Sequence, residues 1–415
     1  MSNSSIIGAN RRINVASFGT NGRGIALTEA FARHTDARVI GIGDVDTRAI
    51  EKGQKAVTDQ GGKTPRGDQD FRRFLDDKDV DAVVIATPDH WHAPMAIMAL
   101  QAGKQVYVEK PCSHNPAEGN MLVAAQKKYG HVVQMGNQTR SSVTLNKIIK
   151  EIHDGLIGTA YAGKAWYSNH RSGIGKGQVA DVPEWLDWEL WQGPAPREAY
   201  KDNVVHYNWH WFYKWGTGEL LNNGTHEIDM CRWALDVDYP NKVSSTGGRF
   251  HFKDDWEWYD TQVVGYEYDS GKTINWEGRS TNGLQFWNRG RGAFIHGTEG
   301  SVLLDRDGFV VYDLKGQEIR KEVEEGESVS MGTSGGGALD ERHINNFIQA
   351  INGDVALNSP IEDANISVTT CHLGNMAQRT GRTLAVNPAT GMPEGSSAAM
   401  ALWSREYAKG WEIDV

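Results

Sequence analysis

Ile13-Asn-Val-Ala-Ser-Phe-Gly-Thr-Asn-Gly-Arg-Gly24 is a short apolar run followed by a glycine cluster, and helix-length sequence follows from Arg23 to about His34. A glycine turn between a strand and a helix brings backbone N–H groups up to a pyrophosphate at the helix N-terminus. Written out, the turn reads G-x-N-G-x-G, so Asn21 stands where the usual fingerprint has its middle glycine. Asn tolerates left-handed backbone angles better than other non-glycine residues, so the turn stays feasible. Gly19, Asn21, Gly22, Arg23 and Gly24 are therefore candidate cofactor-binding residues, with a ligand-free structural turn as the alternative.

A second apolar run, residues 38–43, leads into Asp44, which lies 20 residues after Gly24. A carboxylate there accepts hydrogen bonds from the adenosine ribose hydroxyls and repels a 2′-phosphate, which favours NAD over NADP. Arg48, one turn further on, softens that preference, and a helix N-cap is the alternative role for Asp44. Further outward, residues 81–87 (DAVVIAT), 105–109 and 131–136 read as strands, and residues 93–102 and 116–128 as helices. Apolar strands alternating with helices imply a parallel sheet covered on both faces. Loops at the C-terminal ends of such strands line the ligand crevice, so the loop expected at residues 87–92 makes Thr87, Pro88 and His92 cofactor-side candidates. His90 and His92 lack the further ligands that would complete a metal site, and no metal is expected.

After about residue 145 the pattern changes. Residues 243–252, 256–268, 273–279, 294–297, 301–304 and 308–313 read as strands joined by short turns, which favours antiparallel pairing. Residues 332–337 (GTSGGG) read as a flexible connection, with helices expected at 338–351 and 366–381. The expected fold is thus an α/β Rossmann domain, residues 11–140, and an α+β domain with a large, mostly antiparallel open sheet, residues 141–385. Residues 386–415 form a C-terminal extension.

Bulk properties bound the function. A chain of 415 residues is too long for one ordinary core, and 39% hydrophobic with 23% charged residues describes a globular protein. The formal net charge of −10 leaves no basic excess for nucleic acid. No apolar run approaches the ~20 residues of a membrane span, so no membrane partner is expected. Cys112, Cys231 and Cys371 show neither metal-ligand spacing nor a disulfide framework. Taken literally, the polar start implies a cytoplasmic chain. Residues 6–10 are similar to the stretch after a twin-arginine leader, so periplasmic export in the folded state stays open.

At Glu109-Lys-Pro111 the chain resembles the glucose–fructose oxidoreductase / inositol dehydrogenase (Gfo/Idh/MocA) family, over about residues 11–385. The matching pieces are GTNGRG, the strand ending in Asp44, DAVVIATPDHWHAPMAIMALQAGKQVYVEKP, GNQTR at 136–140, GELLNNGTHEIDMCRWAL at 218–235 and HGTEGSVLL at 296–304. The resemblance implies hydride transfer between NAD(P) and a carbohydrate, cyclitol or similar polyol, in a homodimer or homotetramer paired through the open sheet. It makes Lys110 the active-site lysine, His226 the acid–base histidine and Glu109 part of the cofactor-side strand end. An aspartate often precedes that histidine by four residues in the family; here the position is Asn222, an orienting group with one negative charge fewer.

The chemistry supports these assignments independently. Taking hydride from a carbinol requires a base within reach of the hydroxyl, and histidine has the right unperturbed pKa. A strand-end lysine over the crevice stabilises developing negative charge on oxygen. Asp229, three residues after His226, shares its helix face and is a candidate to orient the imidazole, or else bonds Arg232 or backbone. Gln138 is placed to approach the nicotinamide side. Eight of the 15 tryptophans fall between Trp166 and Trp233, and two to four are expected in the pocket. Aromatic faces pack on the C–H faces of pyranose rings. Arg171, Tyr207, Asn208 and Trp209, with His170 and His210, are substrate-binding candidates beside Lys110, Asn222 and His226. The leading function is thus an NAD-dependent oxidoreductase acting on a hydroxyl or keto carbon of a sugar, glycoside or cyclitol. The alternatives are a redox-neutral NAD-dependent glycosidase working through a keto-sugar, and a non-catalytic dinucleotide-binding sensor.

Overall fold

The structure, a computed structural model, describes residues 12–324 and 337–415; residues 6–10 and 332–336, on which two expectations fall, lie outside it. Six strands build the first sheet: β1 (Ile13–Phe18), β2 (Ala37–Gly43), β3 (Arg66–Asp68), β4 (Ala82–Ile85), β5 (Gln105–Glu109) and β6 (Val133–Gly136). All pair in parallel, in the order β3-β2-β1-β4-β5-β6. Every residue of β1 is buried. Ile13 and Val15 pack with Leu27 and Phe31 on one face, and Ala16 and Phe18 with Phe74 and Val83 on the other. That two-sided burial explains why β1 reads as a continuous apolar run and not an alternating one. The strand order reverses between β1 and β4, where open α/β sheets hold ligands beyond their strand C-termini.

Helices α1 (Arg23–Arg33), α2 (Thr47–Asp59), α3 (Arg72–Leu75), α4 (Asp89–Gln101) and α5 (Pro116–Tyr129) belong to this first unit. The loop expected at residues 87–92 is corrected: α4 begins at Asp89, so His90 and His92 sit in its first turns. Pro94 lies inside this helix. In an interior turn proline removes the hydrogen bond to the carbonyl four residues back, here that of His90. Arg405 replaces the missing donor: its Nη2 lies 2.6 Å from the His90 carbonyl oxygen.

After α6 (Val143–His153), ten strands form the second sheet: β7 (Ala160–Ser168), β8 (Lys242–Gly248), β9 (Thr261–Glu267), β10 (Thr273–Arg279), β11 (Arg291–Gly297), β12 (Ser301–Asp305), β13 (Gly308–Tyr312), β14 (Glu318–Val323), β15 (Leu384–Val386) and β16 (Pro393–Glu394). Their order is β14-β13-β12-β11-β7-β10-β9-β8-β15-β16, antiparallel throughout except for the parallel pair β7–β10. β7, at the centre, has no counterpart among the expected strands. The strand expected at 256–268 begins only at Thr261, because Trp256 and Trp258 are buried with Trp211 in a separate cluster.

Short helices α7 (Trp188–Gln192) and α8 (Gly218–Asn222) precede α9 (Gly224–Leu235), which packs on β7, β10 and β11. α10 (Ala338–Asn352) returns to the first unit, where Phe347 packs edge-on against Phe31 and Tyr107. α11 (Ile361–Thr380) bridges the two, against α5 on one side and β8 and α9 on the other. The C-terminal segment, with α12 (Ser397–Met400), lies on the first unit: Trp411 packs edge-on against Trp91 at 5.0 Å.

Arg405 also holds the fully buried Glu118 carboxylate, which accepts from Arg405 Nε at 2.7 Å and from the Tyr407 hydroxyl at 2.9 Å. Removing one partner of a buried pair costs about 3–5 kcal/mol. Arg405→Met is therefore expected to lower the urea midpoint markedly, and Glu118→Gln in the same background to restore part of the loss.

Candidate active site

The C-terminal ends of β1, β2, β4 and β5 and the turn after β6 open onto one cavity of about 750 Å³. The geometry of its glycine turn fits a dinucleotide. A Cβ on Gly24 would stand 1.7 Å from the Gly19 carbonyl oxygen, so turn and helix close up only with glycine at that position. Gly22 has φ +62° with open space around its α-carbon, and it lines the cavity. α2, α5 and α6 are capped by the side chains of Asp46, Asn115 and Ser142, whereas no side chain caps α1 and no acidic residue lies in its first turn. The uncapped N–H groups and the positive end of the helix dipole are thus left for an external anion.

Asp44 lines the same cavity, its Oδ2 accepting from Thr20 N at 2.7 Å and its Oδ1 from Asp46 N at 3.0 Å. Burial pushes its pKa up, and these backbone bonds partly offset that. The helix cap is supplied by Asp46, which accepts from Arg48 N at 2.9 Å, leaving Asp44 with lone pairs for ribose hydroxyls. Arg48 is likewise committed elsewhere: it forks onto Asp46 and its guanidinium lies 3.4 Å over the Trp185 ring.

At the opposite end of the cavity Lys110 and His226 meet. Lys110 Nζ donates to the Asn222 carbonyl at 2.6 Å and to Asn222 Oδ1 at 3.2 Å, so its acceptors are neutral. Burial pushes its pKa below the ordinary lysine value, with Glu109 and Asp89 opposing the shift. His226 Nδ1 lies 2.8 Å from Asn137 Oδ1. An amide oxygen only accepts, so Nδ1 carries the hydrogen and Nε2 the lone pair. Burial and the cations of Arg306, Arg291 and Lys110 push the imidazole well below its ordinary pKa. Asp229, the expected orienting group, instead takes a fork from Arg140 at 2.7 and 2.8 Å and a bond from Ser367.

Most of the other candidates line the cavity: Gly19, Asn21, Arg23, Thr87, Pro88, His92, Glu109, Gln138, Arg171, Tyr207, Trp209 and His210. Several are braces. Arg23 bonds Glu109 at 2.9 Å and forks onto Asp340, and Gln138 Nε2 donates to Glu109 and to the Tyr107 hydroxyl, both at 3.1 Å. His92 meets the Pro111 and Thr87 carbonyls through its two ring nitrogens. Arg171 pairs with the buried Glu219, and its Nη1 donates to the Tyr207 hydroxyl at 2.8 Å. Gly24 lies beneath the turn, and neither Asn208 nor His170 is on the cavity wall; Asn208 Nδ2 donates to the Asn203 carbonyl at 2.8 Å. Three tryptophans line the cavity, Trp91, Trp191 and Trp209. Most of the rest, Trp166, Trp215 and Trp276 among them, are core.

Asn137 and Glu219 went unnoticed although both stand inside quoted motifs, GNQTR and GELLNN. His206, which bonds Asp46 at 2.8 Å across the cleft, and Asp340 and Arg306 carry no local sequence signal.

A doubly wound nucleotide-binding sheet with its crevice facing a second, mostly antiparallel sheet defines a two-domain dinucleotide-binding class. The chain belongs to the GFO_IDH_MocA oxidoreductase family: the family's NAD-binding Rossmann fold matches residues 13–137 and its C-terminal alpha/beta domain residues 189–386. A glycosyl hydrolase family 109 protein of Saccharopolyspora erythraea is 32% identical over 164 residues, 38% of this chain and 36% of that protein. A levoglucosan dehydrogenase of Pseudarthrobacter phenanthrenivorans is 31% identical over 180 residues, 43% of this chain and 39% of that protein. These matches span well under half the length of the curated relatives. Among solved structures, the WlbA dehydrogenase from Bordetella pertussis in complex with NADH and UDP-GlcNAcA superposes with TM-score 0.68 at 17% identity, over 91% of this chain and 99% of that one. A levoglucosan dehydrogenase with NADH and levoglucosan gives TM-score 0.67 at 20% identity, over 90% and 99%. Among the described residues no helix is long and apolar enough to cross a membrane.

Hydrogen bonds to a charged group contribute about 1.5–3 kcal/mol. Asp44→Ala is therefore expected to weaken NADH binding about tenfold or more and to narrow the preference over NADPH, both read by fluorescence titration.

Proposed function

We propose that this chain is an NAD-dependent oxidoreductase acting on a hydroxyl or keto carbon of a sugar, glycoside or cyclitol. The observation that carries the reading is the pairing of Lys110 and His226 at one end of the cavity, Lys110 held by Asn222 and His226 by Asn137. NAD, held at the α1 turn by Gly19, Asn21 and Gly22 and at its ribose by Asp44, supplies the hydride acceptor.

The chain's own residues supply the proton chemistry and the positioning. His226 presents the Nε2 lone pair to the hydroxyl and takes its proton as the carbinol carbon is oxidised. Lys110 donates to the same oxygen and steadies its developing negative charge. Asn222 fixes the ammonium without neutralising it, which the aspartate common in the family at this position would do. Arg171, Tyr207 and Trp209, with Asn222, offer hydroxyl bonds and an aromatic face to the sugar.

A second reading is favoured by the match to glycosyl hydrolase family 109 proteins. Oxidation of a ring hydroxyl acidifies the neighbouring C–H, the aglycone is eliminated, water adds, and the keto group is reduced again with no net change in NAD. Under either reading the assembly is a homodimer or homotetramer, joined through the sheet face on which Val263, Ile319 and Val323 are exposed.

Incubation with NAD and a panel of monosaccharides, cyclitols and aryl glycosides, following NADH absorbance and aglycone release together, tests the assignment. NADH formation supports the dehydrogenase, and aglycone release without NADH supports the glycosidase. NADH binding with neither product would point to a sensor. His226→Ala and Lys110→Ala are each expected to lower turnover about 10²–10⁴-fold while NADH still binds. Because the folded pKa of His226 is depressed, the imidazole stays a neutral base as pH falls through its ordinary value of about 6.5. The acid limb of kcat/KM is therefore expected below that pH, and a limb at or above it would contradict the assignment.

A further inference from the structure

Arg306 sits in the tight turn between β12 and β13 and is 8% exposed, yet it lines the cavity beside Lys110 and His226. Among the described residues it forms no salt bridge, and its Nε and Nη2 are buried without a hydrogen-bond partner. The neighbouring carboxylates are already engaged. Glu227 Oε1 accepts from Arg291 at 2.7 Å, and Asp340 takes both terminal nitrogens of Arg23. Arg291 and Arg23 add like charge around it. A guanidinium does not lose its proton in a protein, so this one remains a buried cation. An unpaired buried charge is costly, which makes a counter-ion brought from outside strongly favoured.

We propose that Arg306 is the anion anchor of the substrate pocket, so that the cleft takes a sugar carrying a carboxylate or a phosphate. This rests on the reading that the cleft binds a sugar for oxidation. The anion enters at the β12–β13 end, beside the reacting groups, where Arg306 supplies planar donors that match a carboxylate or phosphate in two bonds. The competing arrangement is internal: Glu227 Oε2 is also buried without a partner, and an Arg306–Glu227 ion pair would satisfy both groups.

Calorimetric titration of NADH-loaded protein with matched probes separates these arrangements. The probes are D-glucuronate against D-glucose, D-galacturonate against D-galactose, and glucose 6-phosphate against glucose. At least one acid is expected to bind about tenfold or more tighter than its neutral twin, and Arg306→Gln is expected to remove that advantage while leaving NADH affinity unchanged. The uronates and the phosphate distinguish the two anion sources. Equal binding of acid and neutral twins by the unaltered protein, no binding of any acid, or a loss of NADH affinity in Arg306→Gln would each overturn the proposal. Arg306→Met is also expected to raise the melting temperature of ligand-free protein, whereas a fall would mean that Arg306 pairs with Glu227. Oxidation of neutral sugars with no acid preference would leave the oxidoreductase reading standing and sink only the anion anchor.

Discussion

Burying charge in a cleft is tolerable only when each charge has a partner, and most of this active-site region is arranged around that constraint. Arg23 is satisfied by Glu109 and Asp340, Arg171 by Glu219, and Arg291 by Glu227. Each pair joins segments distant in sequence: Arg23 and Asp340 bring α10 onto the glycine turn, and Arg171 and Glu219 fix the segment after β7 on α8. Two cations stand apart. Lys110 rests on the neutral oxygens of Asn222, and Arg306 has no acceptor among the described residues. These two, with the neutral His226 between Asn137 and the cavity, are where interaction with a bound molecule gains most.

The same economy governs the backbone. α2, α5 and α6 satisfy their N-termini with side-chain caps, but α1 begins at a glycine without one. Gly24 lets α1 approach the end of β1 so closely that a methyl group would collide with the Gly19 carbonyl. At the far side, the carbonyl that Pro94 leaves without its helical donor is taken by Arg405, so the C-terminal segment completes α4. The N–H groups at the start of α1 are thus left for a partner from outside the helix.

What could be read from the sequence was what is local. The glycine turn, Asp44, the EKP strand end and His226 each carry their signal within a few residues, and five of the six Rossmann strands lie where their buried runs place them; β3, short and only partly buried, leaves no such run. Long-range partnership leaves no such trace. The imidazole is oriented by Asn137, 89 positions away, and not by Asp229 on the same helix face, which Arg140 claims first. β7 was missed because Ala160–Ser168 mixes lysine, glycine and tyrosine in a central strand, where neighbours on both sides override weak β-propensity. Arg306 belongs to no motif. It becomes notable only once its neighbours are seen to be paired with others.

The claim on which the account turns is that NAD, held at the α1 turn, takes a hydride from a carbinol carbon of a sugar. Deuterium labelling with a rapid quench, which traps the reduced cofactor before it is reoxidised, tests this most directly, because it registers hydride transfer whether or not NADH is released. A sugar deuterated at its carbinol carbons, incubated with the protein and NAD, is predicted to deliver deuterium to carbon 4 of the nicotinamide ring, seen by mass spectrometry or NMR of the extracted cofactor. The transfer should disappear in His226→Ala. Conversion of the sugar with no label in the cofactor at any quenched time point would contradict the account.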